Sequence, residues 1–353
     1  MSLEADIVKK LSDFTLDVHF KAENERLGLL GASGCGKTMT LKCIAGIAAP
    51  DSGRIVINGK TVFDSVRNIN LPPQKRRIGY LFQQYALFPT MTVRENMEIV
   101  LRHFSKAERK RRIDEMITKL NLYDFCNRKP SRLSGGQQQR AAMARILVTS
   151  PELIMLDEPL SALDSFLRNS VENELMRMLV SFDATILFVS HNRDEVFRIC
   201  ERMFVLQDGQ KAAFGTTEEL FRNPGSLAAA RLTGVKNTAP AFRINRRKIN
   251  VPDWGIALET AGDVPDDLKY AAVRAHHIYD DISGSAAVNC FCFQVLRKQS
   301  EPFKIQELLR ISGEYQPLIR FISGDYDPVF PMQEIQSVRK MFIPPEHVML
   351  LTD

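Results

Sequence analysis

Long apolar runs are what this 353-residue sequence lacks. None approaches the roughly 18 residues that a membrane-spanning helix needs. The first residues, MSLEADIVKKLSDF, contain no apolar segment of the kind found in signal peptides. We therefore expect a protein without membrane-spanning helices, which reaches any membrane only through a partner.

Cysteine is scarce and charge of one sign is not concentrated. The six cysteines form no C-x-x-C pair, which argues against a disulfide framework and predicts reduced thiols in a cytosolic protein. The net charge of +5 is spread along the chain, which fits either anionic ligands or ordinary solubility. A hydrophobic content of 44% over this length predicts two or three domains with buried cores.

Strand-like and helix-like segments alternate in the first half of the chain. The apolar runs RLGLLGAS, RRIGYLFQQ, ELIMLDEP and ATILFVSH stop at small or polar residues, and residues 105–121 carry apolar side chains at helical spacing. This alternation predicts an α/β domain with a mostly parallel sheet. Functional residues gather at the carboxyl ends of such strands, which here fall at Gly31, Gln83, Asp157 and His191.

The character of the sequence changes after residue 235. Residues 236–255 are rich in Asn, Pro and Arg, which is typical of a linker, and short strand patterns separated by turns follow. We predict two domains, residues 1–235 and a small β-rich domain of residues 236–353. His276 and His277 could face a ligand or be plain surface residues, and the sequence assigns no ligand to them.

The segment GASGCGKT, residues 31–38, fits the phosphate-binding pattern G-x-x-x-x-G-K-[ST] at every fixed position. Glycines let backbone N–H groups turn toward a polyphosphate, and the positive end of the following helix adds to the attraction. Lys37 is expected to reach the β and γ phosphates, and Thr38 to offer its hydroxyl to Mg²⁺. The residues predicted to hold the nucleotide are Gly31, Ala32, Ser33, Gly34, Cys35, Gly36, Lys37, Thr38 and Met39.

Two acidic residues, Asp157 and Glu158, follow the apolar strand LIML. Beside a phosphate-binding loop, Asp157 is expected to complete the magnesium site, mostly through water, and Glu158 to polarise the attacking water as general base. Gln83 ends the strand IGYLFQ, where its amide can sense magnesium and the attacking water. His191 ends ILFVSH, where it can contact the γ-phosphate or be only a structural residue.

The segment RLSGGQQQR, residues 132–140, places two glycines behind a serine. Ser134 with Gln137 three residues later is typical of a capping box, and Gly135 and Gly136 fall in the first turn of the helix. A capped helix start is also an anion site. One nucleotide needs only one phosphate-binding loop. A second phosphate-binding segment is explained if it closes over the nucleotide of another copy of the chain in a two-fold dimer.

The order of these motifs is P-loop, strand-end Gln, LSGGQ, acid pair, SALD and strand-end His. In this order they resemble the ATP-binding-cassette ATPases over roughly residues 1 to 230, and LSGGQ is the specific motif among them. The resemblance implies a P-loop cassette with a helical subdomain, which binds ATP and Mg²⁺ and hydrolyses ATP. It also implies that Ser134 to Gln137 act in trans on the partner's γ-phosphate, and that Asp164 communicates between the two sites.

The family also implies partners. They are a second copy of the chain and separate permease subunits at the cytoplasmic face of the cell membrane, with an extracytoplasmic solute-binding protein as an indirect partner and no nucleic acid. YALFPTMTVREN, residues 85–96, is either core packing of the helical subdomain or the family's groove for a permease helix. The family stacks adenine on an early aromatic residue, and Phe14 is the nearest candidate unless it belongs to the core.

Only the resemblance to known families gives an expectation for the transported substrate. The C-terminal β-rich part resembles the OB-like accessory domain of bacterial and archaeal importers that serve oxyanions, iron, polyamines and sugars. The compact N-terminus, KKLSDFTLDVHF, is more similar to molybdate and tungstate importer ATPases. This implies import of an oxyanion such as molybdate, tungstate or sulfate, with iron, polyamine or sugar import as the alternative. A soluble, non-transport cassette ATPase of DNA repair or translation fits less well, because no second cassette or long coiled-coil insertion occurs here.

Overall fold

The computed structural model describes residues 1–161, 165–180, 182, 184–281, 288–301, 304–311, 315–323 and 333–352. The chain divides into two compact units, Met1–Glu218 and Glu219–Asp353. The domain boundary predicted at residues 235–236 stays a prediction. In the part of the chain that the structure describes, no helix combines the length and the apolar character needed to cross a membrane. All six cysteines are free thiols.

One large sheet dominates the first unit. Its strands are β1 (Ser2–Lys10), β2 (Thr15–Glu23), β3 (Arg26–Leu30), β4 (Ser52–Ile57), β5 (Lys60–Asp64), β6 (Ile69–Asn70), β7 (Ile78–Leu81), β8 (Leu153–Asp157), β9 (Thr185–Ser190), β10 (Arg202–Gln207) and β11 (Gln210–Thr216). The helices are α1 (Lys37–Ala45), α2 (Val93–Glu98), α3 (Lys106–Lys119), α4 (Gly135–Leu147), α5 (Ser165–Val180) and α6 (Arg193–Ile199). Short 3₁₀ turns occupy Pro73–Lys75, Ile99–Leu101 and Pro130–Arg132.

The strand order of this sheet is β6-β5-β4-β1-β2-β11-β10-β3-β9-β8-β7. The pairs from β10 through β3, β9 and β8 to β7 are parallel, whereas β6, β5, β4, β1 and β2 form an antiparallel arm. Every residue of β8 and β9 is buried, as expected for parallel strands covered on both faces. The predicted parallel sheet is thus confirmed where the motifs lie, and the arm makes the sheet as a whole mixed.

A helical segment lies between β7 and β8 in the chain. In it, α2 and α3 both pack against α4. The predicted helix over residues 105–121 is confirmed as α3, where the Ser105 side chain caps the start by accepting a bond from the Glu108 N–H. Ile113, Met116 and Ile117 form its buried side. The crossover from β7 to β8 therefore carries its own small helical core.

The second unit is mostly β. Its strands are β12 (Asn237–Pro240), β13 (Phe242–Asn245), β14 (Lys248–Val251), β15 (Ile256–Glu259), β16 (Tyr270–Val273), β17 (Tyr279–Asp280), β18 (Cys290–Glu301), β19 (Lys304–Arg310), β20 (Leu318–Ser323), β21 (Gln333–Phe342) and β22 (Met349–Leu351). Helix α7 (Thr217–Arg222) spans the boundary between the units and is followed by α8 (Leu227–Leu232), with 3₁₀ turns at Pro252–Trp254, Ala275–His277 and Pro345–His347.

These strands form three sheets around a shared core. The sheets are β12-β16-β22, β13-β14-β15 and the larger β17-β21-β18-β19-β20. Side chains from all three meet in one cluster of buried residues, including Val273, Leu258 and Phe293. Because small curled sheets close over one core in this way, the predicted barrel-like β domain is confirmed.

The prediction of a linker over residues 236–255 is wrong. This stretch forms β12, β13, β14 and a 3₁₀ turn. Ile249 and Val251 are fully buried, and Trp254 is 2% exposed. The alternating apolar residues decided the structure, whereas Arg246 and Arg247, which suggested a linker, form the turn between β13 and β14.

Candidate functional site

The loop between β3 and α1 depends on its glycines. Gly34 and Gly36 have φ of 83° and 110°, a region that other residues rarely adopt. At Gly31 the space is the limit, because a Cβ there would lie 2.5 Å from both the Cys35 Sγ and the Leu206 carbonyl oxygen. Since α1 begins at Lys37 with Gly36 as its N-cap, the positive end of the helix faces the loop.

The Lys37 side chain is folded into this loop and is 5% exposed. Its ammonium donates to the carbonyl oxygens of Gly31 at 2.7 Å and Ala32 at 2.8 Å. The Cys35 Sγ lies 3.9 Å from the same ammonium, and burial raises the pKa of this thiol. The loop therefore holds a positive charge on its inner side, where a phosphate group would be attracted.

Thr38 and Asp157 come from different elements and meet at one edge of the sheet. The Thr38 hydroxyl donates to Asp157 Oδ1 at 3.2 Å, and the Tyr80 hydroxyl donates to Asp157 Oδ2 at 2.9 Å. Burial raises the pKa of the Asp157 carboxyl, while the hydrogen bonds from Tyr80 and Thr38 lower it. A buried carboxylate with two fixed hydroxyl donors beside a phosphate-binding loop is suited to hold a cation through water.

A cavity of about 450 Å³ opens in front of the loop. This volume is within the range of small-molecule sites. The residues that line the cavity are Leu11, Ser12, Asp13, Phe14, Ser33, Gly34, Gly36, Lys37, Thr38, Met39, Gln83 and Glu158. Six of the nine predicted loop residues thus share one cavity with Gln83 and Glu158, whereas Gly31, Ala32 and Cys35 do not line it. Phe14 lines the cavity, as adenine stacking would require, and it also packs against the core of the unit. Both alternatives considered for Phe14 therefore remain compatible with its position.

Glu158 and His191 are neighbours at the ends of β8 and β9. His191 Nδ1 lies 3.2 Å from Glu158 Oε1. The backbone of Glu158 has a φ of 48°, and its N–H donates to the Val189 carbonyl at 3.0 Å. A left-handed conformation costs a non-glycine residue about 1–2 kcal/mol. The fold therefore keeps Glu158 in a strained backbone state that turns its carboxylate out of the strand and into the cavity.

The predicted capping box at the start of α4 is present. The Ser134 hydroxyl accepts from the Gln137 N–H at 3.4 Å, and the Gln137 side-chain oxygen accepts from the Ser134 N–H at 3.0 Å. Gly135 and Gly136 are the first two residues of the helix. None of the residues from 134 to 137, all of which the structure describes, lines the cavity of the same chain. The structure therefore does not bring this segment to the chain's own loop.

Asp164, the remaining predicted site residue, lies outside the described residues. The sequence reasoning missed Tyr80, together with Leu11, Ser12 and Asp13 at the mouth of the cavity. A signal for Tyr80 existed, because this tyrosine is the next-to-last residue of an otherwise apolar strand and carries a polar hydroxyl. The loop 11–13 carried no such signal, since it reaches the cavity only through the packing of β1 and β2.

A glycine-rich loop between strand and helix, facing a strand-end acid pair across one cavity, defines a P-loop nucleotide-binding ATPase. The helical segment between β7 and β8, in which the LSGGQ stretch caps the start of α4, narrows the class to the ATP-binding cassettes.

Comparisons with known proteins agree. The family model described as ABC transporter matches residues 13–161. The molybdenum import ATP-binding protein ModC of Paramagnetospirillum magneticum is 38% identical over 223 residues, which is 63% of this chain and 61% of that protein. The spermidine/putrescine import ATP-binding protein PotA of Oleidesulfovibrio alaskensis is 41% identical over 269 residues, 72% of this chain and 70% of that protein.

Among solved structures, a dimeric ATP-binding cassette in a post-hydrolysis state, bound to ADP and Pi, is similar to this chain. Its sequence identity is 30% and the TM-score is 0.51, over 62% of this chain and 99% of that chain. The chain belongs to the ABC transporter family and is an ATPase of the cassette type.

Proposed function

We propose that this chain hydrolyses Mg-ATP as one half of a head-to-tail pair and thereby drives a membrane importer. The observation that carries the proposal is the meeting of Thr38 and Asp157 at 3.2 Å, with Glu158 and Gln83 lining the same cavity. Phosphoryl transfer needs positioning and charge neutralisation more than covalent catalysis. These four side chains with Lys37 supply both.

The residues present fit both parts of the nucleotide complex. The positive-φ glycines turn the backbone of residues 31–39 toward the cavity, and nothing lies within 4 Å of a Cβ built at Gly34, so a phosphate has open space there. For the cation, Thr38, Gln83 and Asp157 offer hydroxyl, amide and carboxylate oxygens, which are the donors that Mg²⁺ prefers. When bound, Mg²⁺ supplies neutralisation of the phosphate charge.

Lys37, Glu158 and His191 have separate roles in the proposal. Lys37 leaves its two carbonyl acceptors and stabilises the β and γ phosphates. Glu158 accepts a proton from the attacking water as general base. His191, 3.2 Å from Glu158, orients that carboxylate and contacts the γ-phosphate.

The trans role of Ser134 to Gln137 completes the site. Their capped helix start presents backbone N–H groups but does not line the cavity of its own chain. A second copy, related by two-fold symmetry, can bring the same segment over the nucleotide. We include Asp164, by family resemblance, as the residue that communicates between the two sites.

A complementation experiment tests this arrangement. Lys37→Ala removes the phosphate-binding lysine, and Ser134→Arg blocks the capped helix start. Each variant alone is expected to be inactive, whereas a mixture of the two forms pairs with one intact composite site and regains about a quarter of normal turnover, by statistical pairing. A mixture without activity would contradict the trans role.

The general-base role has its own experiment. Glu158→Gln is expected to lower turnover at least about 100-fold and to trap an ATP-bound pair, which light scattering after size exclusion would detect. Glu152→Gln, which removes only the partner of Arg77 at the start of β8, is the control and is expected to leave turnover unchanged. Normal hydrolysis by Glu158→Gln would show that the base is misassigned.

The transport role adds permease subunits, which hold the chain at the cytoplasmic face of the membrane. Residues 85–96 support a docking groove in part, since Phe88 is 41% exposed while Tyr85 is buried. The capping box of Thr92 and Glu95 fixes the start of α2 beneath it. Co-purification of the chain with permease subunits, rather than with ribosomes or DNA, is the expected result.

For the cargo, we propose an oxyanion such as molybdate, tungstate or sulfate, with polyamine, iron or sugar import as the alternative. The molybdenum-import relative supports the oxyanion, and the spermidine/putrescine relative supports the alternative. We propose residues 236–353 as the accessory domain that follows the cassette of residues 1–235. Calorimetry with molybdate, tungstate and sulfate tests whether that domain binds an oxyanion, and an absence of heat would leave the ATPase role intact.

A further inference from the structure

Two consecutive non-glycine residues shortly after Gln83 adopt the left-handed backbone conformation. Tyr85 has a φ of 53° and Ala86 a φ of 47°. Each such residue costs about 1–2 kcal/mol relative to its ordinary conformation. Within the turn, the Tyr85 N–H donates to the Phe82 carbonyl at 2.9 Å, and the Ala86 N–H donates to the Gln84 carbonyl at 2.5 Å. These two local bonds, worth about 0.5–1.5 kcal/mol each, do not exceed the cost of two strained residues, and the turn has further support from elsewhere in the fold.

That support comes from Arg145 on α4. Its guanidinium donates to the Ala86 carbonyl at 2.6 Å and to the Tyr85 carbonyl at 3.0 Å. The residue is 9% exposed, and its charged group lies 5.5 Å from the ring centroid of Phe88. Burial lowers the pKa of this guanidinium. Among the described residues, its hydrogen-bond acceptors are these two carbonyls and no carboxylate.

A buried cation without a carboxylate is costly unless its donors are matched in geometry. The planar fork of arginine donates to the two adjacent carbonyls from two separate nitrogen atoms in a fixed plane, whereas a lysine ammonium donates from a single nitrogen atom. The guanidinium and the strained turn therefore stabilise each other. Removal of either partner leaves the other in an unfavourable state.

The same turn reaches the strand that carries the acid pair. The Tyr85 hydroxyl donates to the Pro159 carbonyl at 3.3 Å, and Gln139 Nε2 on α4 donates to the same oxygen at 3.4 Å. Burial raises the pKa of Tyr85 to about 12, so its hydroxyl keeps the proton that it donates. Pro159 directly follows Glu158. Helix α4 is thus bonded both to the turn after Gln83 and to the backbone after Glu158.

We propose that Arg145 is a positioning residue, which holds the strained Tyr85–Ala86 turn and thereby fixes Gln83 at the nucleotide cavity. The proposal rests on the proposed role of Gln83 in serving magnesium and the attacking water. Because Arg145 and the capped start at Ser134 belong to one helix, a shift of α4 moves the turn with it. Arg145 thereby couples the two ends of the composite site.

The first test replaces Arg145 by lysine, which keeps the charge but not the fork. Hydrogen exchange of the amides in residues 82–88 is expected to accelerate by about tenfold, while the amides of the central strands keep their rates. ATP turnover is expected to fall about tenfold in kcat, and ATP binding without Mg²⁺ is expected to be unchanged because the P-loop is not touched. Arg112→Lys on α3 is the matched control and is expected to change none of these.

The second test distinguishes two roles of Arg145: stabilising the strained turn, or only filling space in the core. Ala86→Gly removes the backbone strain, since glycine adopts positive φ freely. In the double variant Arg145→Lys/Ala86→Gly, at least about a third of the lost protection and turnover is expected to return, and the double-mutant cycle is expected to be non-additive. A packing role predicts no such rescue.

Three outcomes would overturn the inference. They are unchanged exchange in residues 82–88, exchange that rises evenly over the whole cassette, or a double variant that is no better than Arg145→Lys. A different result, a wild-type chain that does not hydrolyse ATP even when paired, would overturn the proposed function instead. The exchange and rescue measurements would still be readable on that chain, so the two failures are distinguishable.

Discussion

Tyr80 and Asp157 are joined by a hydrogen bond of 2.9 Å, in which the tyrosine hydroxyl donates to Asp157 Oδ2. Parallel pairing of β7 with β8 brings the two residues to the same edge of the sheet. With Thr38 bonded to Oδ1, the carboxylate has both oxygens fixed before any ligand arrives. The Asp157 carboxylate is therefore preorganised by hydroxyls from two other elements.

Tyr80→Phe tests that preorganisation. Loss of one hydrogen bond to a buried charged group is worth about 1.5–3 kcal/mol, so the Mg²⁺ concentration for half-maximal ATP turnover is expected to rise about tenfold or more. A magnesium titration of turnover at saturating ATP measures this. Tyr123→Phe is the control, since its side chain is 60% exposed and lies away from the cavity. An unchanged magnesium dependence would mean that Tyr80 only fills space.

The glycines of the loop predict a graded effect on stability. Gly36→Ala combines a φ of 110° with a Cβ placed 2.8 Å from Leu16 Cδ1, whereas Gly34→Ala meets only the positive φ of 83°. We expect Gly34→Ala to cost about 1–2 kcal/mol in the free energy of unfolding, and Gly36→Ala to cost more. Urea unfolding of the two variants measures the difference. Equal losses would show that the contact with Leu16 relaxes freely.

Arg76 is a buried residue that closes the end of α1. It is 1% exposed, and its guanidinium donates to the carbonyls of Cys43 and Ile44 at 2.9 and 2.8 Å. Arg76→Met removes the side-chain donor from both helix-end carbonyls and leaves the Cys43 carbonyl only the Gly46 N–H at 3.2 Å, so we expect a loss of about 1–3 kcal/mol and a Tm lower by about 5 °C. Arg67→Met is the control, because that arginine is 70% exposed in a surface ion pair. A similar Tm for both variants would contradict this account.

Acid is expected to destabilise the second unit through His277. Its ring is stacked on His347 with centroids 3.6 Å apart, and its Nδ1 is buried and has no hydrogen-bond partner among the described residues. Burial, with the neighbouring His276, His347 and Arg274, lowers the pKa of His277 to about 4. Since the lowered pKa favours the neutral form, the contribution to stability is complete above the unfolded pKa of about 6.5 and is lost as the pH falls toward 4.

Unfolding followed by Trp254, the single tryptophan of the chain, measures this effect. We expect the urea midpoint to fall between pH 6.5 and pH 4, and to fall less in His277→Leu, in which nothing titrates at this position. His19→Gln, a change in the first unit, is the control for a general loss of histidine. A pH dependence that is the same with and without His277 would show that other groups cause it.

Much of the cassette could be predicted from the sequence because its signals are local. The P-loop pattern, the capping box of Ser134 and Gln137, and the apolar run of β8 each need only a few adjacent residues to be recognised. Local patterns failed where two of them competed, as in the stretch 236–255. There, the turn-forming residues led to the prediction of a linker. The alternation of apolar and polar residues was also present, and it produced strands because the apolar side chains are buried in the core.

Local sequence patterns were enough to identify the chemical groups of the proposed site: the glycines and lysine of a phosphate-binding pattern, and the hydroxyl, amide and carboxyl groups near strand ends. Only the tertiary structure decided which of these groups meet. Tyr80 reaches Asp157, and Arg145 reaches the turn at Ala86, across gaps of 77 and 59 residues. Contacts at such separations arise from strand pairing and helix packing, in which every element takes part, and no short stretch of residues encodes them.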